Sequence, residues 1–256
     1  MAVVLATGAC AGPGARVPPP ADAYRAVAPG GHDDVRYWAD DLAPDQQARA
    51  AGEIRAALGD RWRAEGRPRR GLEVDMLALS GGAADGAYGA GLLVGWTEQG
   101  GRPHFDLVTG ISVGALIAPF AFLGPESDAA LTTIFTELDT ADVAELQLAR
   151  ALFGALAIAR TDPLRRQIER FVDDAMLAEI AAAHGRGRRL LIGTTNIDAA
   201  RPVIWNMGRI AERGELELFR DVVLASASIP GAFPPVPIEV EVDGRRYTEL
   251  HLDGGV

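Results

Sequence analysis

Apolar and polar residues follow one another along the chain in a pattern of strands that lead into helices. The apolar run 72–79 predicts a short strand, and residues 86–99 have the spacing of a helix. The run 105–111 predicts a second strand, and residues 113–123 a second helix. Two strand–turn–helix units in succession predict an α/β fold with a mainly parallel central sheet and helices on its faces.

The pattern changes in the second half of the chain. Residues 126–184 are helical in spacing almost throughout and predict a helical insertion, in which Asp162-Pro163 starts the helix 164–172. The segments 189–195 and 202–205 then have strand character, and residues 216–226 are helical in spacing. Asp243-Gly244 then separates two alternating runs, 236–242 and 245–252, which predicts a tight hairpin.

One stretch of the insertion, residues 145–160, is apolar around most of its predicted helical circumference. Such a helix is either buried in the core or in contact with lipid. Both interpretations stay open, because an apolar helix can serve as a core element or as a lid or interfacial element.

The N-terminal part of the sequence has a different composition. Residues 1–9 are small, apolar and uncharged and run to Cys10, which resembles the end of a bacterial lipoprotein signal, although Thr7 stands where Leu is usual. The alternative is a disordered terminus with an incidental cysteine. The first interpretation predicts lipidation of Cys10 and a location in the cell envelope, and the second a cytoplasmic protein. Residues 11–31 are rich in Pro, Gly and Ala and predict a flexible tether, followed by a helical lead-in over residues 32–70.

Composition narrows the possible function classes. With 256 residues, 48% of them hydrophobic, the chain can bury a sizeable core, and the pattern assigns it to one main domain over residues 71–256. The net charge of −10 disfavours binding to nucleic acid and to anionic membrane surfaces. A single cysteine excludes an intrachain disulfide, and four scattered histidines predict no metal site. No run approaches the roughly 18 apolar residues of a membrane-spanning helix.

Residues 110–114, Gly-Ile-Ser-Val-Gly, have the G-x-S-x-G pattern of a nucleophile elbow and lie between a predicted strand and a predicted helix. On such a turn the serine is held in a strained conformation, and Gly110 and Gly114 let strand and helix approach closely. The positive end of the following helix favours a developing oxyanion. The alternative role for Ser112 is that of a helix N-cap.

A glycine-rich turn, residues 79–86 (Leu-Ser-Gly-Gly-Ala-Ala-Asp-Gly), ends the first predicted strand. Its backbone N–H groups can cradle an anion, which is either a phosphate or the oxyanion of acyl transfer. A clean G-x-G-x-x-G and the phosphate-loop lysine are both missing, and the next strand ends in the serine motif instead of a ribose-binding acid. The oxyanion interpretation is therefore favoured over a nucleotide-binding protein.

Two further motifs complete a pattern. Residues 252–255 read Leu-Asp-Gly-Gly, and the small and proline-rich segment 226–236 precedes them. Together with the glycine-rich turn and the serine motif, they resemble the patatin-like phospholipase family over about residues 72–256. The resemblance implies a three-layer α/β/α fold, a lipid or other acyl-ester substrate, no cofactor, and an association with membranes that is peripheral or through a lipid anchor.

The resemblance also implies a catalytic dyad without histidine, in which Ser112 is the nucleophile and Asp253 accepts its proton. The implied oxyanion donors are backbone N–H groups: Gly81, Gly82, Ala83 and Val113. The implied elbow and turn glycines are Gly110, Gly114, Gly86, Gly254 and Gly255. No histidine follows Asp253, which independently disfavours a triad in the order serine, acid, histidine.

The sequence departs from the family pattern in two places. Asp85 stands where Arg or Lys is usual, and Ala83 where a third glycine is usual. We expect Asp85 to face solvent or to cap the helix that begins at Gly86. Domains of this family continue beyond the aspartate, so the resemblance also implies that the sequence is truncated at its C-terminus. A catalytically silent lipid-binding or envelope interaction module remains the alternative function.

Overall fold

The structure, a computed structural model, describes residues 16–24, 27–42, 44–64, 66, 74–82, 85–137 and 162–256. Three sequence predictions lie outside these residues: the lipidated Cys10, the oxyanion donor Ala83 and the apolar helix 145–160. Among the described helices, none combines the length and the apolar character that crossing a bilayer requires.

The described residues form an α/β fold around one sheet. Its strands are β1 (Ala28–Pro29), β2 (Arg36–Trp38), β3 (Met76–Leu79), β4 (Leu107–Gly110), β5 (Arg189–Asn196), β6 (Arg201–Asn206), β7 (Val236–Val242) and β8 (Arg245–Asp253). The helices are α1 (Pro44–Ala64), α2 (Gly86–Glu98), α3 (Val113–Leu123), α4 (Asp128–Glu137), α5 (Asp162–Phe171), α6 (Asp174–Gly185), α7 (Met207–Glu212) and α8 (Leu216–Ser226). A 3₁₀ turn, Pro125–Ser127, joins α3 to α4.

The sheet corrects the prediction of a mainly parallel arrangement. β3, β4 and β5 are parallel neighbours, as the two strand–turn–helix units require. The other pairings of the described strands are antiparallel: β1 with β7, β2 with β6, β5 with β6, β5 with β8, and β7 with β8. The link 197–200 between β5 and β6 is too short for a crossover connection, so that the chain must turn back on itself. The α/β class was predicted correctly, and the parallel character is limited to three strands.

The predicted hairpin at Asp243-Gly244 is confirmed, because β7 and β8 pair in register from Val236 opposite His251 to Val242 opposite Arg245. Both turn residues have positive φ, 49° for Asp243 and 73° for Gly244. Such angles match the twist of a two-residue hairpin. β8 is thereby fixed along most of its length by β7.

A single apolar core lies between the sheet and the helices. Val108 of β4 and Ile192 of β5 belong to one cluster with Phe120 of α3 and Val222 of α8, all of them at most 2% exposed. α3 lies over β4, since a Cβ on Gly110 would lie 2.9 Å from the Cβ of Ala118. On the opposite face, Met76 of the edge strand β3 is 64% exposed. The structure therefore shows helices packed on the face of the sheet that carries Val108 and Ile192. A second helical layer on the opposite face, as in a three-layer α/β/α fold, remains a prediction.

The first part of the N-terminal segment packs on the sheet, contrary to the predicted tether, whereas the predicted helical lead-in is present as α1. Thr248 N–H donates to the carbonyl of Val17, and β1 pairs with β7. Residues 36–38, predicted as helical, form β2 beside β6, and α1 follows. The period-2 pattern of this strand spans only three residues, which is too short to stand out in a sequence.

Candidate active site

The serine motif forms a sharp turn between β4 and α3. Ser112 has φ 57° and ψ −130°, a conformation that costs a side chain-bearing residue about 1–3 kcal/mol. The turn is tight: a Cβ on Gly110 would lie 2.6 Å from the carbonyl oxygen of Gly114, and a Cβ on Gly114 would overlap the carbonyl of Leu79. Only glycine fits at both positions, so the elbow predicted from the sequence is present and strained.

The glycine-rich turn lies against this serine. A Cβ on Gly81 would lie 3.0 Å from the Cβ of Ser112 and 3.5 Å from its Oγ, so the backbone of Gly81 directly adjoins the hydroxyl. Gly86 packs under Val113, the residue after the serine. Gly82 lies near Asp85, whose exposed side chain makes no hydrogen bond to the helix it precedes. Of the predicted donors, Gly81 therefore lies against Ser112, and Val113, the next residue in the chain, lies over Gly86.

Asp253 is the last residue of β8. Its N–H donates to the carbonyl of Ser228 at 3.0 Å, and its Oδ1 accepts the N–H of Gly255 at 2.8 Å. A Cβ on Gly254 would overlap the carbonyl of Gly193 in β5, which explains the glycine that follows the aspartate. Asp253 is 5% exposed and Ser112 6%.

The strands that carry the two motifs meet end to end along one edge of β5. Ile192 pairs with Gly110 of β4 on one side and with Trp205 of β6 on the other. Thr194 likewise pairs with Asp253 on one side, while β6 occupies the other. β4 and β8 therefore share the edge opposite β6, and two residues of β5, a length of about 7 Å, separate their ends.

Ile111 and Gly193 fill this junction. The Cγ1 of Ile111 lies 3.0 Å from the position of a Cβ on Gly193, and its Cγ2 lies 4.0 Å from that of a Cβ on Gly255. The residue before the serine thus reaches along this edge of β5 to the residues after the aspartate. The missing side chain at Gly193 makes room for this contact.

Ser226, at the end of α8, is a site residue that sequence reasoning missed. Its hydroxyl accepts the N–H of Ser112 at 3.0 Å and donates to the carbonyl of Gly193 at 2.7 Å. It is fully buried. The segment 226–236 stands out in the sequence for its small residues and prolines, but a serine among small residues does not indicate its partner. Ser226 connects the elbow to the central strand.

This arrangement contains groups of the kinds that acyl transfer uses. A hydroxyl lies on a strained turn, a carboxylate ends β8 near that turn, and the N-terminus of α3, which favours nearby negative charge, begins directly after the serine. Within the described ranges, no group of three or more His, Cys, Asp or Glu side chains could hold a metal ion.

Comparison with known proteins shows the family of this chain. The profile of the family described as patatin-like phospholipase matches residues 77–256. The fold is similar to the crystal structure of VipD from Legionella pneumophila, at 15% sequence identity and a TM-score of 0.46, over 72% of this chain and 46% of that chain. The chain thus spans a little under half the length of that structure. No curated protein matches the chain.

Proposed function

Because the chain belongs to the patatin-like phospholipase family, we propose that it is a serine lipid acyl hydrolase in which Ser112 and Asp253 form the catalytic dyad. Membership supports a lipid substrate and hydrolase activity at the level of the family. The observation that carries the finer proposal is the end-to-end meeting of β4 and β8, which brings the serine elbow and the aspartate to one junction on β5.

In the first half of the reaction, the Oγ of Ser112 attacks the ester carbonyl and its proton passes to the carboxylate of Asp253. The carbonyl oxygen becomes an oxyanion, which the N–H groups of Gly81, Gly82 and Val113 stabilise. One such donor is worth about 3 kcal/mol in the transition state. The proton then moves from Asp253 to the departing alcohol or lysolipid, and an acyl-serine remains.

In the second half, water attacks the acyl-serine. Asp253, again ionised, takes a proton from this water, and the same N–H groups hold the second oxyanion. Collapse of that intermediate releases the fatty acid, and the proton returns to Ser112. Neither half needs a metal, a histidine or an external cofactor, which fits a site built from one hydroxyl, one carboxylate and backbone amides.

Charge supports a preference among lipid surfaces. The chain carries a net charge of −10, and Asp85 is exposed beside the glycine-rich turn. Both features repel an anionic headgroup. We therefore expect faster hydrolysis of phosphatidylcholine vesicles than of phosphatidylglycerol vesicles, with a difference that shrinks as salt is added. An Asp85→Asn variant should narrow the difference.

The proposal is tested with a short-chain p-nitrophenyl ester and a fluorophosphonate probe. Wild-type protein should hydrolyse the ester and become labelled at Ser112, whereas Ser112→Ala should do neither. Asp253→Asn should remain folded and lose turnover. Equal hydrolysis by wild type and Ser112→Ala would reject the assignment of the nucleophile, and a folded wild type without hydrolysis or labelling would favour the silent lipid-binding module.

A lipid anchor at Cys10 is a separate proposal, supported by the sequence of residues 1–10 alone. In a bacterial host, wild-type protein should then distribute to the membrane fraction and incorporate a fatty-acid label. Cys10→Ser should abolish both, and an unlabelled wild type in the soluble fraction would indicate that the cysteine is incidental.

A further inference from the structure

Five buried side chains form a closed polar network that includes two residues of the strand that carries Asp253. They come from four strands, β2, β5, β6 and β8, and each is at most 7% exposed: Arg36, Thr194, Trp205, Glu249 and His251. This buried network lies on the same face of the sheet as Asp253, since residues paired across strands share a face. The catalytic steps described above do not use it.

An ion pair forms one half of the network. Both guanidinium nitrogens Nη1 and Nη2 of Arg36 donate to the carboxylate of Glu249, the second at 3.2 Å. The guanidinium also lies 5.7 Å from the ring centre of Trp205. Burial by itself would raise the pKa of Glu249, but hydrogen bonding to His251 and the charge of Arg36 outweigh it and lower the pKa. Glu249 is therefore ionised and depends on Arg36.

Thr194 closes the other half. The indole N–H of Trp205 donates to Thr194 Oγ1 at 2.7 Å, and the same hydroxyl lies 3.0 Å from His251 Nδ1. Burial lowers the pKa of His251, and the charge of Arg36 lowers it further. The carboxylates of Glu249 and Asp198 oppose this shift but do not outweigh it, so that His251 is neutral. Thr194 therefore donates to Nδ1, and His251 Nε2–H donates to Glu249 at 3.3 Å. The polar atoms that close the network are thereby all paired.

The network can form only in one register of β8. Only three residue pairs join β5 to β8, from Asn196 opposite His251 to Thr194 opposite Asp253. A shift by one residue would turn Glu249 and His251 to the other face and place leucines, Leu250 and Leu252, among the polar partners. A shift by two would bury a carboxylate where the imidazole lies. Every other register leaves a buried polar group or charge without its partner.

We propose that this network fixes the register of β8, and with it that of the β7–β8 hairpin, against β5 and so positions Asp253 at its junction with the serine elbow, with β2 as an integral part of the hydrolase. The catalytic consequence rests on the function proposed above. Arg36 lies outside residues 77–256, the part that matches the family profile. The N-terminal strand therefore supplies the only cation of the network from a segment that the family pattern does not include.

The test replaces the network by apolar residues of similar size, in the triple variant Arg36→Met, Glu249→Met and His251→Leu. Exchange of a buried ion pair for apolar side chains commonly leaves folding stability unchanged or raises it. We expect a melting temperature near that of the wild type, unchanged KM, and a kcat lower by about 10- to 100-fold, since misplacing a catalytic group by about 1 Å has such effects. If the network only stabilised the fold, a triple variant with the melting temperature of the wild type would also keep the kcat of the wild type.

Hydrogen exchange measured by mass spectrometry gives a second readout that needs no activity. In the triple variant, amides 250–253 should exchange faster while amides 107–110 of β4 keep their protection. The matched control is Arg102→Met with Asp128→Leu, which removes another buried ion pair (2.6 Å) that lies outside β5 and β8. This control should leave kcat and the exchange of β8 unchanged.

If the triple variant does not fold, the role of the network is tested with two single variants, Thr194→Val and Thr194→Ser. Valine has the shape of threonine without the hydroxyl and should lower kcat, whereas serine keeps the hydroxyl and should restore it. Wild-type kcat and exchange in the folded triple variant, or equal rates in the two Thr194 variants, would overturn the proposal. A wild type without Ser112-dependent activity would reject the dyad, and the exchange measurement would still test the register.

Discussion

Ser226→Ala removes the hydroxyl that connects the serine elbow to the central strand. Ser226 Oγ accepts the N–H of Ser112 and donates to the carbonyl of Gly193, at 3.0 Å and 2.7 Å. Because Ser226 is fully buried, the substitution leaves a backbone donor and a backbone acceptor without this partner. The chain itself keeps its course, since alanine is compatible with the end of a helix.

The size of the effect follows from these two groups. A buried donor or acceptor that loses its partner costs about 1–3 kcal/mol, so that for the two groups together we expect the free energy of unfolding to fall by about 2–6 kcal/mol. The strained φ of Ser112 is then less well held, and its hydroxyl shifts relative to Asp253. A loss of kcat of about 10- to 100-fold should accompany the loss of stability.

Urea denaturation and ester hydrolysis measure the two effects, with Ser228→Ala as the control. Ser228 is also fully buried, but its hydroxyl donates to the carbonyl of Leu224 within the same helix end, at 2.8 Å. Its loss should cost about 1 kcal/mol and change kcat little, because the carbonyl that holds Asp253 is retained. Equal effects of the two substitutions on kcat would refute the reasoning that Ser226 holds the elbow.

Three further predictions concern the elbow, the glycine-rich turn and a buried histidine. Gly81→Ala places a Cβ 3.0 Å from that of Ser112 and should abolish fluorophosphonate labelling. The control Gly91→Ala has open space around its Cβ, so it should retain labelling and raise the free energy of unfolding by about 0.5–1 kcal/mol. Labelling of both variants would contradict this prediction. Ser112→Gly removes the hydroxyl and relieves the strain of the positive φ. Activity should disappear, while the midpoint of urea unfolding rises by an amount equivalent to about 1 kcal/mol. A lower midpoint would argue against strain at this position. Burial, then the charges of Arg189 and Arg209, lower the pKa of His184 to about 3. Unfolding therefore takes up a proton below the unfolded pKa of about 6.5, so stability falls as the pH falls; between about pH 7 and pH 5 the loss due to His184 is about 2 kcal/mol. Urea unfolding of His184→Gln should show a loss smaller by that amount, and equal losses in the two proteins would reject the assignment.

The local elements could be predicted well because each has its own pattern. α3 and α8 begin and end where their apolar spacing predicts, at Val113–Leu123 and Leu216–Ser226. The hairpin turn at Asp243-Gly244 was predictable for the same reason, since its residue types match the backbone angles that the turn needs. The serine elbow combines both kinds of pattern, a strand before it and a helix after it.

The pairing of strands was less accessible, because it depends on contacts between distant residues. The antiparallel return of β6 could have been inferred from the short link 197–200, but the position of β8 on the edge of β5 left no local pattern. Ser226 is similar: its partner Ser112 is far away in sequence, and a serine near a helix end is common. Strand β2 and Arg36 were missed because a three-residue strand has too little periodicity.

The meeting of β4 and β8 on β5 also determines the order in which the protein can become active during synthesis. β4, α3 and β5 have been synthesised once residue 196 has left the ribosome, whereas Ser226 follows with α8 and Asp253 with the β7–β8 hairpin. Pairing of β8 closes a loop over long sequence separation, a late and slow event in folding. Under the proposed dyad, a nascent chain would therefore carry Ser112 without its proton acceptor until β8 has docked on β5.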